Sequence, residues 1–260
     1  MDDLVQFSLS NGIAIATLNN PPLNIITVDV TRALRHVVDR VSTDDLVRAL
    51  IVTGAGDRAF SAGSDIHEMK EMFATGTVIE SKIDFENETF TALENLKVPT
   101  IAALNGVAFG GGLEVALSCD FIVADEGARV GSPEIKLGLF PGSGGAVRAG
   151  RRIGIGRLRQ LVLLGDALNS GTALEWGLVD EITPSGAALS RSVGLANQLA
   201  GLSADAVSIA KRVINLRNEM SDDHALLESM KLFGEVSATD DAREGVQAFI
   251  EKRQPEFGSR

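Results

Sequence analysis

One stretch, Pro99 to Gly145, constrains this chain more than any other: PTIAALNGVAFGGGLEVALSCDFIVADEGARVGSPEIKLGLFPGSGG. It starts as an apolar, strand-like run from Thr100 to Leu104. It then meets three consecutive glycines, Gly110 to Gly112, before a short apolar segment that carries Glu114. With no Cβ in the way, glycines between a strand and a helix let the backbone approach another group closely. The first N–H groups of the following helix lack intrahelical acceptors, and the positive end of its dipole lies behind them. Such a place suits an anion, or an oxygen that becomes negative during a reaction. Glu114, a few residues into the helix, brings a carboxylate to the same spot. Ser132-Pro133-Glu134 repeats the design with an N-cap candidate, a proline at the first helical position and a second carboxylate. A general acid–base site is the leading expectation. Each piece also has a plain structural use. The glycines would serve close helix–strand packing, Glu114 a buried arginine, and Glu134 the first turn of its helix. Taken together these uses weaken, because a carboxylate within Gly111-Gly112-Leu113-Glu114-Val115-Ala116-Leu117 is costly to bury without a task.

Length and composition narrow the class. At 260 residues the chain suffices for one large domain or one and a half smaller ones. No run approaches the ~18 apolar residues of a membrane span. Met1-Asp2-Asp3 is acidic and the first apolar run is short and alternating, unlike a signal or transit peptide, so a cytoplasmic location is expected. The single cysteine, Cys119, excludes an internal disulfide framework. His36, His67 and His224 are too scattered for a recognisable metal spacing. A net charge of −11 argues against nucleic acid or an anionic membrane as partner, although local cations can still hold a phosphate-bearing ligand.

Along the chain, Leu4 to Leu9, the turn Ser10-Asn11-Gly12 and Ile13 to Leu18 read as a β-hairpin. From Thr27, an N-cap candidate, Val30, Leu34, Val37, Val38 and Val41 share one helical face. Leu46 to Thr53 reads as a strand buried on both faces. Ser64 to Thr77 is polar and ambiguous, with a mobile lid as one reading. Ile83, Phe90, Leu93 and Leu96 suggest a helix before the central strand at Thr100, and Phe121 to Ala124 suggests the next strand. Ala146 to Ile153 and Arg157 to Leu164 read as helices, Ser170 as the cap of Thr172 to Trp176, and Leu178 to Ile182 as a short strand. Beyond Ser185 the chain is helical in pattern, with Ser203, Ser221 and Asp240 as successive start signals. The expectation is an α/β core of spiral or layered type, residues 1–195, with a helical extension over 196–260.

Two decoys fail on context. Gly54-Ala55-Gly56-Asp57-Arg58-Ala59 imitates a dinucleotide-binding turn, but Phe60-Ser61-Ala62-Gly63-Ser64 is poor helix and no strand ends near residue 74. Gly142-Ser143-Gly144 lacks the spacing of a nucleophile elbow, which leaves Ser143 to loop chemistry.

Three motifs together resemble the enoyl-CoA hydratase/isomerase (crotonase) family: Phe60-Ser61-Ala62-Gly63-Ser64-Asp65-Ile66, Asn105 through Glu114, and Ser132-Pro133-Glu134-Ile135-Lys136-Leu137-Gly138. Leu18 through Asn24, Pro141 through Gly145, Gly177-Leu178-Val179 and Phe249 through Arg253 add to the likeness, which spans nearly the whole chain. The resemblance implies a spiral of β-β-α turns with C-terminal helices used in trimer assembly, so a homotrimer or a dimer of trimers is expected. It implies an acyl-CoA substrate whose thioester oxygen is held by the backbone N–H groups of Ser64 and Gly111, with coenzyme A as part of the substrate and no separate cofactor or metal. It carries the catalytic roles onto Glu114 and Glu134, both of which hydrating members keep. Substrate contacts carry over to Ala62, Asp65, Ile66, His67, Gly110, Pro133, Gly142, Lys252 and Phe257. His67 stands where the family often has lysine and reads as well as a solvated loop residue. Hydration of a trans-2-enoyl thioester, as in fatty acid metabolism, is the implied reaction. The alternatives are double-bond isomerisation, another crotonase-type lyase or hydrolase, and a non-catalytic or RNA-binding subunit, the last opposed by the acidic balance.

Overall fold

The computed structural model describes residues 4–216 and 220–258. Strands β1 (Val5–Ser10) and β2 (Ile13–Leu18) form the expected hairpin, and Asn11 and Gly12 both take positive φ in its two-residue turn. Helix α1 (Val28–Thr43) follows, with the Thr27 hydroxyl accepting from Val30 N as its cap. After it come β3 (Ala49–Gly54), β4 (Ala59–Ser61), α2 (Ile66–Thr75), a π-helical turn (Ile79–Ile83) and α3 (Asp84–Glu94). The centre of the chain runs β5 (Thr100–Leu104), β6 (Val107–Phe109), α4 (Gly111–Leu117), β7 (Phe121–Asp125), β8 (Arg129–Gly131) and a 3₁₀ turn (Pro133–Leu137). Next stand α5 (Gly145–Leu164), β9 (Leu168–Asn169), α6 (Ser170–Trp176) and β10 (Glu181–Thr183). Helices α7 (Ala188–Ala200), α8 (Ala204–Leu216), α9 (Asp222–Ser237) and α10 (Asp240–Glu251) complete it.

Two sheets result. The larger has the order β1-β2-β3-β5-β7-β10, parallel except for the hairpin; the smaller has the order β4-β6-β8-β9, with β9 antiparallel. Each of the pairs β3–β4, β5–β6 and β7–β8 gives its first strand to the large sheet and its second to the small one, and a helical segment follows. This is a spiral of β-β-α turns. On one face of the large sheet, Val30, Leu34, Val37 and Val38 of α1 join the main core with Leu50, Val52, Ala102 and Leu104. On the other, Ala188 and Ala196 of α7 meet Ile51, Ile101, Ala103 and Val123. Such double burial explains why β3 and β5 are apolar throughout.

Several expectations shift by a few residues. Strand β3 begins at Ala49 because Leu46 is exposed, and β10 begins at Glu181 rather than Leu178. The cap of α6 is Asn169, not Ser170, and that of α10 is Thr239, not Asp240; in both a side-chain oxygen accepts the third amide. The two helices expected over 146–164 are halves of α5, divided at Gly154, whose φ of 71° interrupts the helix. Ser64 to Thr77 is no featureless lid but contains α2, capped by Asp65 and closed by Gly76 at positive φ. The imitation dinucleotide turn opens no helix. Asn24 Nδ2 donates to Ala55 O and Ala59 O, and Asn105 Nδ2 to Gly54 O and Gly56 O, fixing it as the elbow between the two sheets. The division at residue 195 falls inside α7, which packs on the sheet, so the extension proper starts with α8. That extension is pinned by Lys211, whose Nζ donates to Val98 O and to Asp120 Oδ2 at 2.7 Å.

Candidate active site

The three glycines meet three different neighbours. A Cβ on Gly112 would lie 2.4 Å from Ser61 O, so this glycine lets α4 press against β4, the packing use foreseen for the whole triplet. A Cβ on Gly111 would instead lie 3.1 Å from Ser64 Oγ and 3.7 Å from Ser64 N. Gly110 has φ +50°, and a Cβ there would stand 3.1 Å from Glu134 Oε1. The triplet thus brings the start of α4, the Ser64 backbone and the Glu134 carboxylate to one place.

Ser64 is held by a parallel bridge: Ile26 N donates to Gly63 O and Asp65 N donates to Ile26 O. Among the described residues, neither Ser64 N nor Gly111 N donates to a protein acceptor. Gly111 N is the first amide of α4, and nothing earlier in the helix can accept from it. Two amides on facing segments are therefore free to bind one oxygen.

Glu114 lies in the first turn of α4, 4% exposed. Its Oε1 accepts from Ser143 N and Gly145 N, each at 2.8 Å, which leaves Oε2 for another partner. A Cβ on Gly145 would reach within 2.7 Å of Glu114 Cγ, so glycine there is what admits the side chain. Burial, with the negative charges of Glu86 and Glu134 adding to it, pushes the Glu114 carboxyl up to about 8 against the pull of its two amide donors. Glu134 rises from the 3₁₀ turn, a shorter and tighter element than the helix expected, and the Ser132 side chain makes no cap bond to it. The Oε2 atom of Glu134 is buried without a hydrogen-bond partner, and burial raises this carboxyl as well. Each carboxyl thus favours its protonated form more than an exposed one does, and the charge of Glu134 adds to this at Glu114.

The remaining expected contacts divide. Ala62 N donates to Leu23 O, Asp65 caps α2 by accepting from His67 N and Glu68 N, and Pro133 opens the 3₁₀ turn. Gly142 O accepts from Asn87 Nδ2, and a Cβ on Gly142 would pack 3.7 Å from Ile83. Ile66 is exposed, and the fully exposed His67 ring stands 3.6 Å from Asp65. Ala62, Asp65 and Ile66 flank Ser64 in sequence, and Pro133 and Gly142 adjoin Glu134 and Ser143 of the candidate site. Lys252 and Phe257 are not joined to it by any contact among the described residues: Lys252 ends α10 and Phe257 folds back on Gly245. Ser143, read from the sequence as loop chemistry, lies in the turn before α5, where it is buried and its amide donates to Glu114. Lys82 and Glu86, which give no sequence signal beyond an i,i+4 pair, are buried beside it. Among the described residues no group of three His, Cys, Asp or Glu side chains is arranged to hold a metal ion.

The chain as a whole is similar to known proteins. A family model described as enoyl-CoA hydratase/isomerase matches residues 8–260. The short-chain-enoyl-CoA hydratase of Clostridium acetobutylicum is 38% identical over 246 residues, covering 94% of this chain and 93% of its own. The 2,3-dehydroadipyl-CoA hydratase of Escherichia coli is 34% identical over the full length of both chains. Among solved structures, an enoyl-CoA hydratase from Bacillus anthracis superposes with a TM-score of 0.93 at 31% identity, over 99% of this chain and 100% of the other.

Proposed function

The chain belongs to the enoyl-CoA hydratase/isomerase family, and from that premise we propose that it adds water across the trans-2 double bond of an acyl-CoA thioester. Glu114 and Glu134 act as the acid–base pair, and the amides of Ser64 and Gly111 receive the thioester oxygen. The single observation that carries this reading is the pairing of two free carboxylate oxygens, Glu114 Oε2 and the unpartnered Glu134 Oε2, around the glycine junction.

The two amides polarise the thioester carbonyl, so the β-carbon becomes electrophilic. Water held by Glu114 attacks it and gives up a proton to that carboxylate. The π electrons move to the thioester oxygen, where the amides stabilise the negative charge; one such donor is worth ~3–4 kcal/mol in comparable sites. Glu134 then delivers its proton to the α-carbon as the enolate collapses. One proton has left Glu134 and one has reached Glu114, so transfer between the two resets the site. The reverse reaction uses the other placement: a protonated Glu114 releases the hydroxyl as water while Glu134 takes the α-proton. Burial pushes the Glu114 carboxyl up to about 8, which favours the protonated form that dehydration asks of this side chain.

Purified protein is expected to hydrate crotonyl-CoA in the presence of EDTA and with no nicotinamide added. Activity abolished by EDTA and restored by zinc or magnesium contradicts the reading. The same carboxylates serve isomerisation of 3-enoyl to 2-enoyl thioesters, which needs no water; product analysis on both substrates separates the two. A homotrimer or dimer of trimers belongs to the proposal, supported by the exposed Ile214, Leu226, Leu227, Met230, Phe233 and Phe249 on α8–α10. A monomer mass by light scattering at micromolar protein contradicts it. No described helix is long and apolar enough to cross a membrane.

A further inference from the structure

Lys82 and Glu86 are each 1% exposed. Lys82 Nζ donates to Ile26 O and to Glu68 Oε2, both at 3.1 Å, and stands 3.0 Å from Glu86 Oε1 as an ion pair without an aligned hydrogen bond. The other Glu86 oxygen, Oε2, accepts from Ser143 Oγ at 2.5 Å. Ser143 is gripped at two further points, since its amide donates to Glu114 Oε1 and its carbonyl accepts from Arg148 Nη1 at 3.1 Å. A buried ion pair gains little stability over a well-packed apolar pair, so stability alone is a weak reason for this one to be here.

We propose that Glu86 is a positioning residue for the acid–base pair: clamped by Lys82 and bonded to Ser143, it fixes the loop whose amides hold Glu114 Oε1. Its charge has a second effect, because a fixed negative group behind Glu114 opposes ionisation of that carboxyl. The charged groups around this cluster come from every packed element. They are Glu134 from the 3₁₀ turn, Glu68 from α2, Lys82 from the π-helical turn, and Arg148 of α5, itself paired with Glu94 of α3. Glu86 and Glu134 are the two whose charge holds the Glu114 proton on. Loosening the loop and removing the charge therefore act differently: the first misplaces Glu114, and the second also lets it ionise at lower pH.

This inference rests on the hydratase reading. The test measures hydration against pH for the parent protein, Glu86→Gln and Ser143→Ala. Glu86→Gln keeps an acceptor for Ser143 and loses the charge. It is expected to lower kcat by about tenfold at unchanged KM, and to move the limb of the profile that follows Glu114 ionisation down by roughly half a pH unit or more. Ser143→Ala keeps the charge and frees the loop, so kcat falls at unchanged KM while that limb stays put or rises. A folded Glu86→Gln with the parent's kcat and pH profile overturns the proposal. If Glu86→Gln does not fold, Ser143→Ala decides, and a parental kcat overturns it. A parent that hydrates nothing strikes the hydratase reading instead. The infrared band of the protonated carboxyl then serves as readout, and it must titrate at lower pH in Glu86→Gln if the inference stands.

Discussion

Glu114 and Glu134 reach the same site from opposite settings. The first sits on a wholly buried helix, one oxygen fixed by two amides and the other free, with Glu86 behind it through Ser143. The second stands on a largely exposed 3₁₀ turn, with its Oε2 left unpartnered. A fixed carboxylate with one open oxygen is suited to orient a water molecule. A less constrained one, facing the glycine junction, is suited to follow a carbon that changes geometry as the enolate forms and collapses. In the proposed mechanism, identical side chains take different work from the elements that present them.

The largest expected effect comes from neutralising either carboxylate. Glu114→Gln and Glu134→Gln keep shape and lose acid–base function, so steady-state hydration should fall by ~10²–10⁴-fold in each. Binding of a saturated acyl-CoA, followed by calorimetry, should survive both, because the backbone donors remain. Affinity lost together with rate would mean that the carboxylates bind substrate rather than transform it.

A smaller effect sharpens the contrast in fixation. Gly145→Ala places a methyl group 2.7 Å from Glu114 Cγ and forces the gripped carboxylate to move. Displacement of about 1 Å costs up to ~10²-fold in kcat. The matching probe on the other side, Gly110→Ala, adds strain at positive φ and meets Glu134 Oε1 at 3.1 Å, so both rate and thermal stability should drop. Parental kcat in Gly145→Ala would show that the grip on Glu114 is not needed.

The last effect is on stability rather than rate, and its sign differs from the usual one for carboxylates. Glu114 is raised from 4.5 to about 8 in the folded protein, so the folded state holds its proton more tightly than the unfolded state does. Below the unfolded value both states are protonated and nothing is lost. As pH climbs from there to about 8, parental stability declines, by a few kcal/mol in all at ~1.4 kcal/mol per unit. Glu114→Gln escapes this decline while keeping the amide contacts, so its melting temperature should exceed the parent's by a margin that grows from mildly acid to mildly alkaline pH. Glu134→Gln should show the same sign and a weaker trend, because water reaches its turn. Equal margins would erase the difference in burial.

Much of this was readable in the residues. The hairpin turn, the Thr27 cap and the apolar β3 and β5 follow local rules that packing did not override. The glycine triplet with two nearby carboxylates marked the site. What each glycine approaches was not readable, because Ser61 and Ser64 are brought there by the preceding turn of the spiral and Glu134 by the following one. Helix α2 escaped notice because Ile66, Met69 and Phe73, although at helical spacing, lie in a short polar segment that buries no residue. The buried Lys82–Glu86 pair was hidden for the opposite reason: its spacing is that of any solvated salt bridge, and only the third partner, Ser143, 57 residues from Glu86 in sequence, reveals its setting. Ser132 satisfied the cap pattern, yet the segment after it tightened into a 3₁₀ turn and left the hydroxyl without that bond.

The division of labour is tested most directly by following 3-enoyl to 2-enoyl conversion and crotonyl-CoA hydration side by side in Glu114→Gln and Glu134→Gln. Isomerisation moves a proton between carbons and needs no water, so Glu114→Gln should retain more of it than of hydration, while Glu134→Gln should lose both. Undiminished hydration in a folded Glu114→Gln, or isomerisation lost equally in the two variants, would contradict the separate roles assigned to the fixed and the free carboxylate.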